Sequence, residues 1–141
     1  MDIFGDIYKL KQNTMRLNEY QDRAMSTCLP SCDNISYMSL GLVSEVGELA
    51  GKIAKAIRKE ELKIDGNELI KDKASEEEMM SLMAGIVGEI GDCAWFLAGI
   101  CHTLGLSLEE VATANLAKLA ERKKLGTIIG NGDGTTKEER L

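Results

Sequence analysis

A chain of 141 residues that is 44% hydrophobic and 28% charged has the size and balance of one globular domain with a single core. Its net charge of −6 argues against a protein that binds nucleic-acid polymers, because such proteins need clustered lysine and arginine to displace counterions from phosphates. The N-terminus has acidic residues where a signal peptide has basic ones, so we expect a cytoplasmic protein.

The first half of the chain predicts two helices, because apolar residues recur at intervals of three and four and strand-type alternation is scarce. The first helix is expected over residues 17–28, before Pro30, which disfavours helix in the residue preceding it. The second is expected over residues 36–59. Residues 60–73 are highly charged and contain the turn signal Asp-Gly-Asn, so we expect a loop or short excursion there.

Two capping signatures predict the remaining helices. Ser75-Glu-Glu-Glu matches the capping box and opens a third helix that ends near Leu104, with Gly105 as a left-handed stop. A similar pattern at Ser107 opens a fourth helix that runs to about residue 124 and stops at Gly126. We therefore predict one all-α domain with a core at about 14–125 and a flexible glycine-rich tail at 126–141. Four helices with short links indicate a bundle, completed within the chain or by a second chain.

Segments 37–57 and 82–101 are apolar enough to raise the question of membrane spanning. Each carries two carboxylates near its middle, and a charge at the bilayer centre costs at least ~2.5 kcal/mol, so we expect no membrane partner. The cysteines match no zinc pattern well, and we expect buried free thiols. They are Cys28, Cys32, Cys93 and Cys101.

Two pairs of acids suggest a metal site. Glu45 and Glu48 are three residues apart, as are Glu89 and Asp92, so each pair shares one face of its helix. Both pairs lie among apolar neighbours, where ionised carboxylates repel each other and lose hydration unless a cation or hydrogen bonds hold them. Hard oxygen ligands suit Mg²⁺ or Mn²⁺. The alternative is a solvated surface in which Glu48 pairs with Lys52 at i+4.

Glycines and an aromatic residue accompany the second acid pair. Gly85, Gly88 and Gly99 lie on or near the side of the third helix that carries Glu89, and they favour either close helix packing or room for a ligand. Phe96 lies on that face too, where it either stacks on a base or belongs to the core.

A polar stripe on the fourth helix consists of Asn115, Lys118 and Arg122, spaced at i, i+3 and i+7. It is either a solvated face or a source of cations and an amide for the phosphates of a metal-bound triphosphate. Lys123, Lys124 and the glycine-rich segment 130–134 could extend that contact.

The motifs Glu45-Val-Gly-Glu48 and Glu89-Ile-Gly-Asp92, with the downstream Asn-x-x-Lys-Leu-x-x-Arg at 115–122, resemble the MazG-like, all-α nucleotide pyrophosphohydrolase superfamily. The glycine-rich tail is similar to that of a phage and bacterial branch. The resemblance covers about residues 36–134. The gap between the two acid pairs is longer than the family's, which the charged segment 60–73 explains.

The resemblance implies hydrolysis of a (deoxy)nucleoside triphosphate to the monophosphate and pyrophosphate by a homodimer or homotetramer with active sites near the subunit interface. Glu45, Glu48, Glu89 and Asp92 would bind one or more Mg²⁺ ions, with Mn²⁺ as a substitute, and one of them would orient or deprotonate the attacking water. The residues expected to bind the substrate are Lys52, Phe96, Asn115, Lys118 and Arg122. Of these, Lys118 and Arg122 would stabilise the leaving pyrophosphate.

Two alternatives remain, and the sequence argues against a third. Within the superfamily, the substrate could be phosphoribosyl-ATP or a single pyrimidine deoxynucleotide such as dUTP or dCTP. Outside catalysis, the chain could be a helical oligomerisation module that uses its acids for solubility. A ferritin-like di-iron site requires two Glu-x-x-His pairs, but the only histidine is His102 and residue 99 is glycine, so we expect His102 to be a helix-end residue.

Overall fold

The computed structural model describes residues 14–128, which form four helices and a two-stranded antiparallel sheet. In chain order these are α1 (Leu17–Met25), α2 (Ile35–Arg58), β1 (Leu62–Asp65), β2 (Glu68–Lys71), α3 (Glu76–Thr103) and α4 (Leu108–Lys124). The predicted all-α class is confirmed, because the sheet is only eight residues. Most of the predicted tail, from residue 129 onward, lies outside the described residues.

The helix starts follow from side-chain caps. In α3, the N–H of Glu78 donates to Ser75 Oγ at 3.1 Å, and the N–H of Ser75 donates to Glu78 Oε2 at 2.8 Å. The same reciprocal pair links Ser107 and Glu110 at the start of α4. Both predicted capping boxes are therefore confirmed.

The predicted helix stops at Gly105 and Gly126 are confirmed, because both glycines have a φ of +67°. Helix α2 ends in the same way without glycine. Glu60 has a φ of +59°, and the N–H of Glu61 donates to the carbonyl of Ala56 at 2.9 Å, which is the bond expected of a Schellman motif. An ion pair between Glu60 and Lys73 lies at this corner.

Helix α1 ends three residues before the predicted position, and hydrogen bonding to one carbonyl explains the difference. The carbonyl oxygen of Ala24 would accept from the N–H of Cys28 if the helix continued. It accepts instead from the N–H of Thr27 at 3.1 Å, from Thr27 Oγ1 at 2.7 Å and from the indole N–H of Trp95 at 3.1 Å.

The charged segment 60–73, for which the sequence predicted a loop or short excursion, is a β-hairpin. Leu62 pairs with Lys71 and Asp65 with Glu68, which leaves a two-residue loop whose first residue, Gly66, has a φ of +59°. This matches a type II′ hairpin turn. Leu62 is buried against the rest of the domain, so tertiary contact supports strands that are too short to show a clear alternation.

Helices α2 and α3 form the centre of the domain and run antiparallel, since residues early in α2 meet residues late in α3. Met38 is fully buried and packs on Gly99, where an added Cβ would lie 2.3 Å from the methionine sulfur. Close packing therefore explains Gly99. Gly88 has open space around its Cα, so packing within these residues does not explain it.

Helix α4 packs against the ends of α1 and α3. Its first turn is held by α1, where buried Gln21 accepts from the N–H of Leu108 at 2.6 Å and donates to the carbonyl of Leu106 at 2.9 Å. No residue of α4 is buried within the described chain.

The cysteines are free thiols as predicted, but only Cys101 is buried and the other three are half-buried. His102 lies in the last turn of α3, as predicted for a helix-end residue, with its Nε2 3.8 Å from a carboxylate oxygen of Asp33. Among the described helices, α3 alone is long and apolar enough to cross a membrane, a test that the core helix of a soluble protein also passes.

Candidate functional site

Three carboxylates converge between α2 and α3. Glu45 comes from α2, Glu89 and Asp92 come from α3, and one oxygen of each lies within 4.8 Å of the other two. Glu89 is buried with 8% of its surface exposed, Glu45 is half-buried and Asp92 is exposed. The antiparallel pairing of the two helices thus brings together three of the four acids that the sequence singled out.

The electrostatics of this group favour a cation. Loss of hydration, the negative charge of Glu48, and the hydrogen bond and charges of Glu89 and Asp92 raise the pKa of Glu45 above its usual value. Each of these causes penalises an ionised Glu45. A bound cation would reverse the penalty, because it offsets the clustered negative charge.

Lys52 supplies one positive charge to the group. Its Nζ lies 3.0 Å from Glu89 Oε1, and the two side chains are 39% and 11% exposed. The sequence alternative paired this lysine with Glu48, but Glu89 is its partner in the structure. An all-oxygen donor set with a buried carboxylate fits a hard divalent ion, which would compete with the Lys52 ammonium for Glu89. Glu45, Glu89 and Asp92 are therefore suited to hold a divalent cation.

Glu48 is exposed and lies outside this group of three, although its charge is close enough to raise the pKa of Glu45. Its assignment as a metal ligand stays a prediction.

An aromatic cluster adjoins the carboxylates toward the start of α2. The ring of Phe96 rests on Gly41, where an added Cβ would lie 2.1 Å from Phe96 Cε1. Trp95 contacts this ring edge-on at a centroid distance of 5.0 Å, and Tyr37 lies at 5.9 Å. Phe96 is 8% exposed and Tyr37 is 43% exposed, so Tyr37 is the more accessible ring.

Tyr37 was not among the site residues predicted from the sequence. The sequence feature that could have identified it is the spacing Tyr37-x3-Gly41-x3-Glu45. This spacing places an aromatic ring, a glycine and an acid on one helix face. The contact of Phe96 with a base stays a prediction, and its packing on Gly41 gives it a core role as well.

The polar stripe of α4 does not join the carboxylates within residues 14–128. Asn115 and Lys118 are exposed and Arg122 is half-buried, and no described hydrogen bond or ion pair links them to the acids. Their contact with substrate stays a prediction. The segment 130–134 lies outside the described residues.

A cavity of about 350 Å³ lies between α2 and α3. It is on the side of the carboxylates away from the aromatic cluster. Three lysines, two in α2 and one at its C-terminal cap, line it together with Ser81 and Gly85 of α3. The lysines are Lys52, Lys55 and Lys59. Of these, only Lys52 was predicted from the sequence as a site residue. Their spacing at i, i+3 and i+7 was the signal for the other two.

Comparison with known proteins places these features in a family. The family model described as MazG nucleotide pyrophosphohydrolase domain matches residues 34–126, which include both acid pairs. The "Gene 37 protein" of Mycobacterium phage L5 is 35% identical over 126 residues, an alignment that covers 84% of this chain and 98% of the relative. No solved structure matches.

Proposed function

Because this chain belongs to the MazG nucleotide pyrophosphohydrolase family, we propose that it hydrolyses a (deoxy)nucleoside triphosphate to the monophosphate and pyrophosphate, using Mg²⁺ or Mn²⁺. The observation that carries the proposal is the group formed by Glu45, Glu89 and Asp92, whose oxygens lie within 4.8 Å of one another. When bound there, the cation would neutralise phosphate oxygens and lower the pKa of a water molecule.

The remaining roles in the reaction, orienting the attacking water and binding the base, are assigned to residues of the protein. Glu48 is exposed beside the group, and we assign to it the orientation of the attacking water through a hydrogen bond to its carboxylate. Tyr37 offers an accessible ring at the edge of the aromatic cluster, and we assign the base to it and to the neighbouring edge of Phe96.

The exposed apolar residues support an oligomer. Leu40 and Val43 of α2 are 73% and 72% exposed, and Leu116 of α4 is 67% exposed. Leu40 and Val43, three residues apart, are neighbours on the helix surface, and contiguous exposed apolar residues mark interaction sites. We propose a homodimer or homotetramer in which α4 of one subunit brings Lys118 and Arg122 to the carboxylates of another.

Pyrophosphate release tests the proposal. Purified protein is incubated with a panel of nucleoside and deoxynucleoside triphosphates that includes dUTP and dCTP, and with phosphoribosyl-ATP, in Mg²⁺, Mn²⁺ or EDTA. We expect metal-dependent pyrophosphate and the matching monophosphate from at least one of them, and the preferred compound names the substrate. Release of inorganic phosphate instead of pyrophosphate, or no release from any compound, would contradict the proposal and favour a non-catalytic helical module.

A matched pair of variants separates the carboxylate site from general effects of charge. Glu89→Gln removes the buried acid of the group, whereas Glu77→Gln removes an exposed acid from the first turn of the same helix. We expect the first to lose activity and the second to retain it.

A further inference from the structure

One face of α2 changes character along its length. Residues 37, 41, 45, 52, 55 and 59 fall within about 80° of one another around the helix axis, because each residue turns the helix by about 100°. In chain order this face carries Tyr37, then Glu45, then the three lysines that line the cavity. The face is therefore aromatic at one end, acidic in the middle and basic at the other end.

Lys52 connects the acidic middle to the basic end. Its Nζ contacts Glu89 at 3.0 Å, and its side chain also lines the cavity. Gly85 lies opposite on α3, and a Cβ there would come within 3.4 Å of the Lys52 side chain. The lysine therefore passes close to the α3 backbone between the carboxylates and the cavity.

The cavity has donors that are not committed to other groups. Lys55 forms no ion pair, and the hydroxyl of Ser81 forms no hydrogen bond, anywhere in the portion of the chain that is described. Lys59 Nζ lies 3.0 Å from Glu61 Oε1. The carboxylate of Glu78, which also lines the cavity, accepts from the N–H of Ser75 at the start of α3. Lys52 is paired with Glu89 and Lys59 with Glu61, so Lys55 and the Ser81 hydroxyl are the cavity donors that remain available to an anion within the described residues.

We infer that this cavity binds the terminal two phosphates of the substrate, and hence the pyrophosphate product, through Lys55, Lys59 and Ser81. The inference rests on the proposed function and deepens it, because it fixes the direction in which a nucleoside triphosphate lies along α2. The base lies toward Tyr37, the scissile phosphate lies at the carboxylates, and the β and γ phosphates extend past Lys52. Ten residues separate Glu45 from Lys55, about 15 Å of helix, and the long Lys55 side chain, which leans toward the helix N-terminus, spans part of that distance toward the carboxylates.

Binding of inorganic pyrophosphate is the direct test, because it does not require turnover. Isothermal titration with pyrophosphate in Mg²⁺ is carried out on the wild type, Lys55→Gln and Lys55→Arg. The matched control is Arg58→Gln, which removes an exposed cation of the same helix that does not line the cavity. Lys55 is exposed, so we expect all variants to fold, which circular dichroism checks.

We expect Lys55→Gln to weaken pyrophosphate binding roughly tenfold, the effect of losing one charge-assisted hydrogen bond to a phosphate oxygen. Lys55→Arg should restore most of the affinity, and Arg58→Gln should bind as the wild type does. Product inhibition by pyrophosphate should follow the same order, while inhibition by the monophosphate stays unchanged.

The inference and the proposed function fail in different ways. Unchanged pyrophosphate affinity in Lys55→Gln, in a wild type that hydrolyses triphosphates, overturns the cavity assignment and leaves the activity standing. Lysine-dependent pyrophosphate binding in a protein that hydrolyses no nucleotide supports the cavity as an anion site and overturns the hydrolase proposal. Equal weakening by Lys55→Gln and Arg58→Gln would indicate general charge attraction and would overturn the cavity assignment.

Discussion

The packing of Phe96 on Gly41 predicts that Gly41→Ala destabilises the protein, although alanine is normally the better helix residue. The added Cβ would lie 2.1 Å from Phe96 Cε1 and 2.3 Å from Cζ. The ring has little room to withdraw, because Trp95 contacts it at 5.0 Å and Tyr37 lies at 5.9 Å. Overpacking costs about 1–3 kcal/mol, and the gain in helix propensity offsets about 1 kcal/mol of it.

The expected net loss is therefore up to about 2 kcal/mol, which corresponds to a fall in Tm of up to about 8 °C for a domain of this size. The matched control is Gly51→Ala in the same helix, where nothing lies within 4 Å of the added Cβ. We expect the control to gain up to about 1 kcal/mol. Thermal unfolding followed by circular dichroism at 222 nm measures both variants. A Gly41→Ala variant as stable as Gly51→Ala would refute the reasoning from the Phe96 contact.

Three further predictions concern the carboxylates. Mg²⁺ should raise the Tm of the wild type and of Glu77→Gln but not of Glu89→Gln, because a ligand stabilises only a native state that binds it; an equal shift in all three would contradict the metal site. Glu48→Gln should keep this Mg²⁺-dependent shift but lose turnover, and a variant with wild-type kcat would remove Glu48 from the mechanism. In EDTA, the raised pKa of Glu45 means that its stabilising contribution is present at low pH and is lost as the pH rises through that pKa. Denaturant unfolding between about pH 4 and 7 should therefore show a steeper loss of stability in the wild type than in Glu45→Gln, and identical profiles would contradict this assignment.

The Lys52 ammonium group and a divalent ion would compete for the carboxylate of Glu89. In the structure the ammonium group partly neutralises the buried carboxylate, at 3.0 Å. A divalent ion on the same carboxylate would repel the ammonium and release it toward the cavity, since like charges at short range are unfavourable. The lysine is thereby linked both to the metal site and to the anion site.

Local sequence determined the helices of this protein. The capping boxes at Ser75 and Ser107 and the stops at Gly105 and Gly126 all lie where the sequence predicted them. These signals are recognisable from the sequence alone, because a cap forms hydrogen bonds to backbone groups within three or four residues of itself. The acid pairs were equally clear, because their shared faces follow from helical geometry alone.

The tertiary structure decided what these local elements bring together. The hairpin at 60–73 depends on burial of Leu62, and the early end of α1 depends on Trp95, which is distant in sequence. The grouping of Glu45 with Glu89 and Asp92, the pairing of Lys52 with Glu89, and the position of the lysine cavity depend on the antiparallel register of α2 and α3. That register is set by the packing of Met38 on Gly99 and Phe96 on Gly41, contacts between residues more than fifty positions apart that no local pattern encodes.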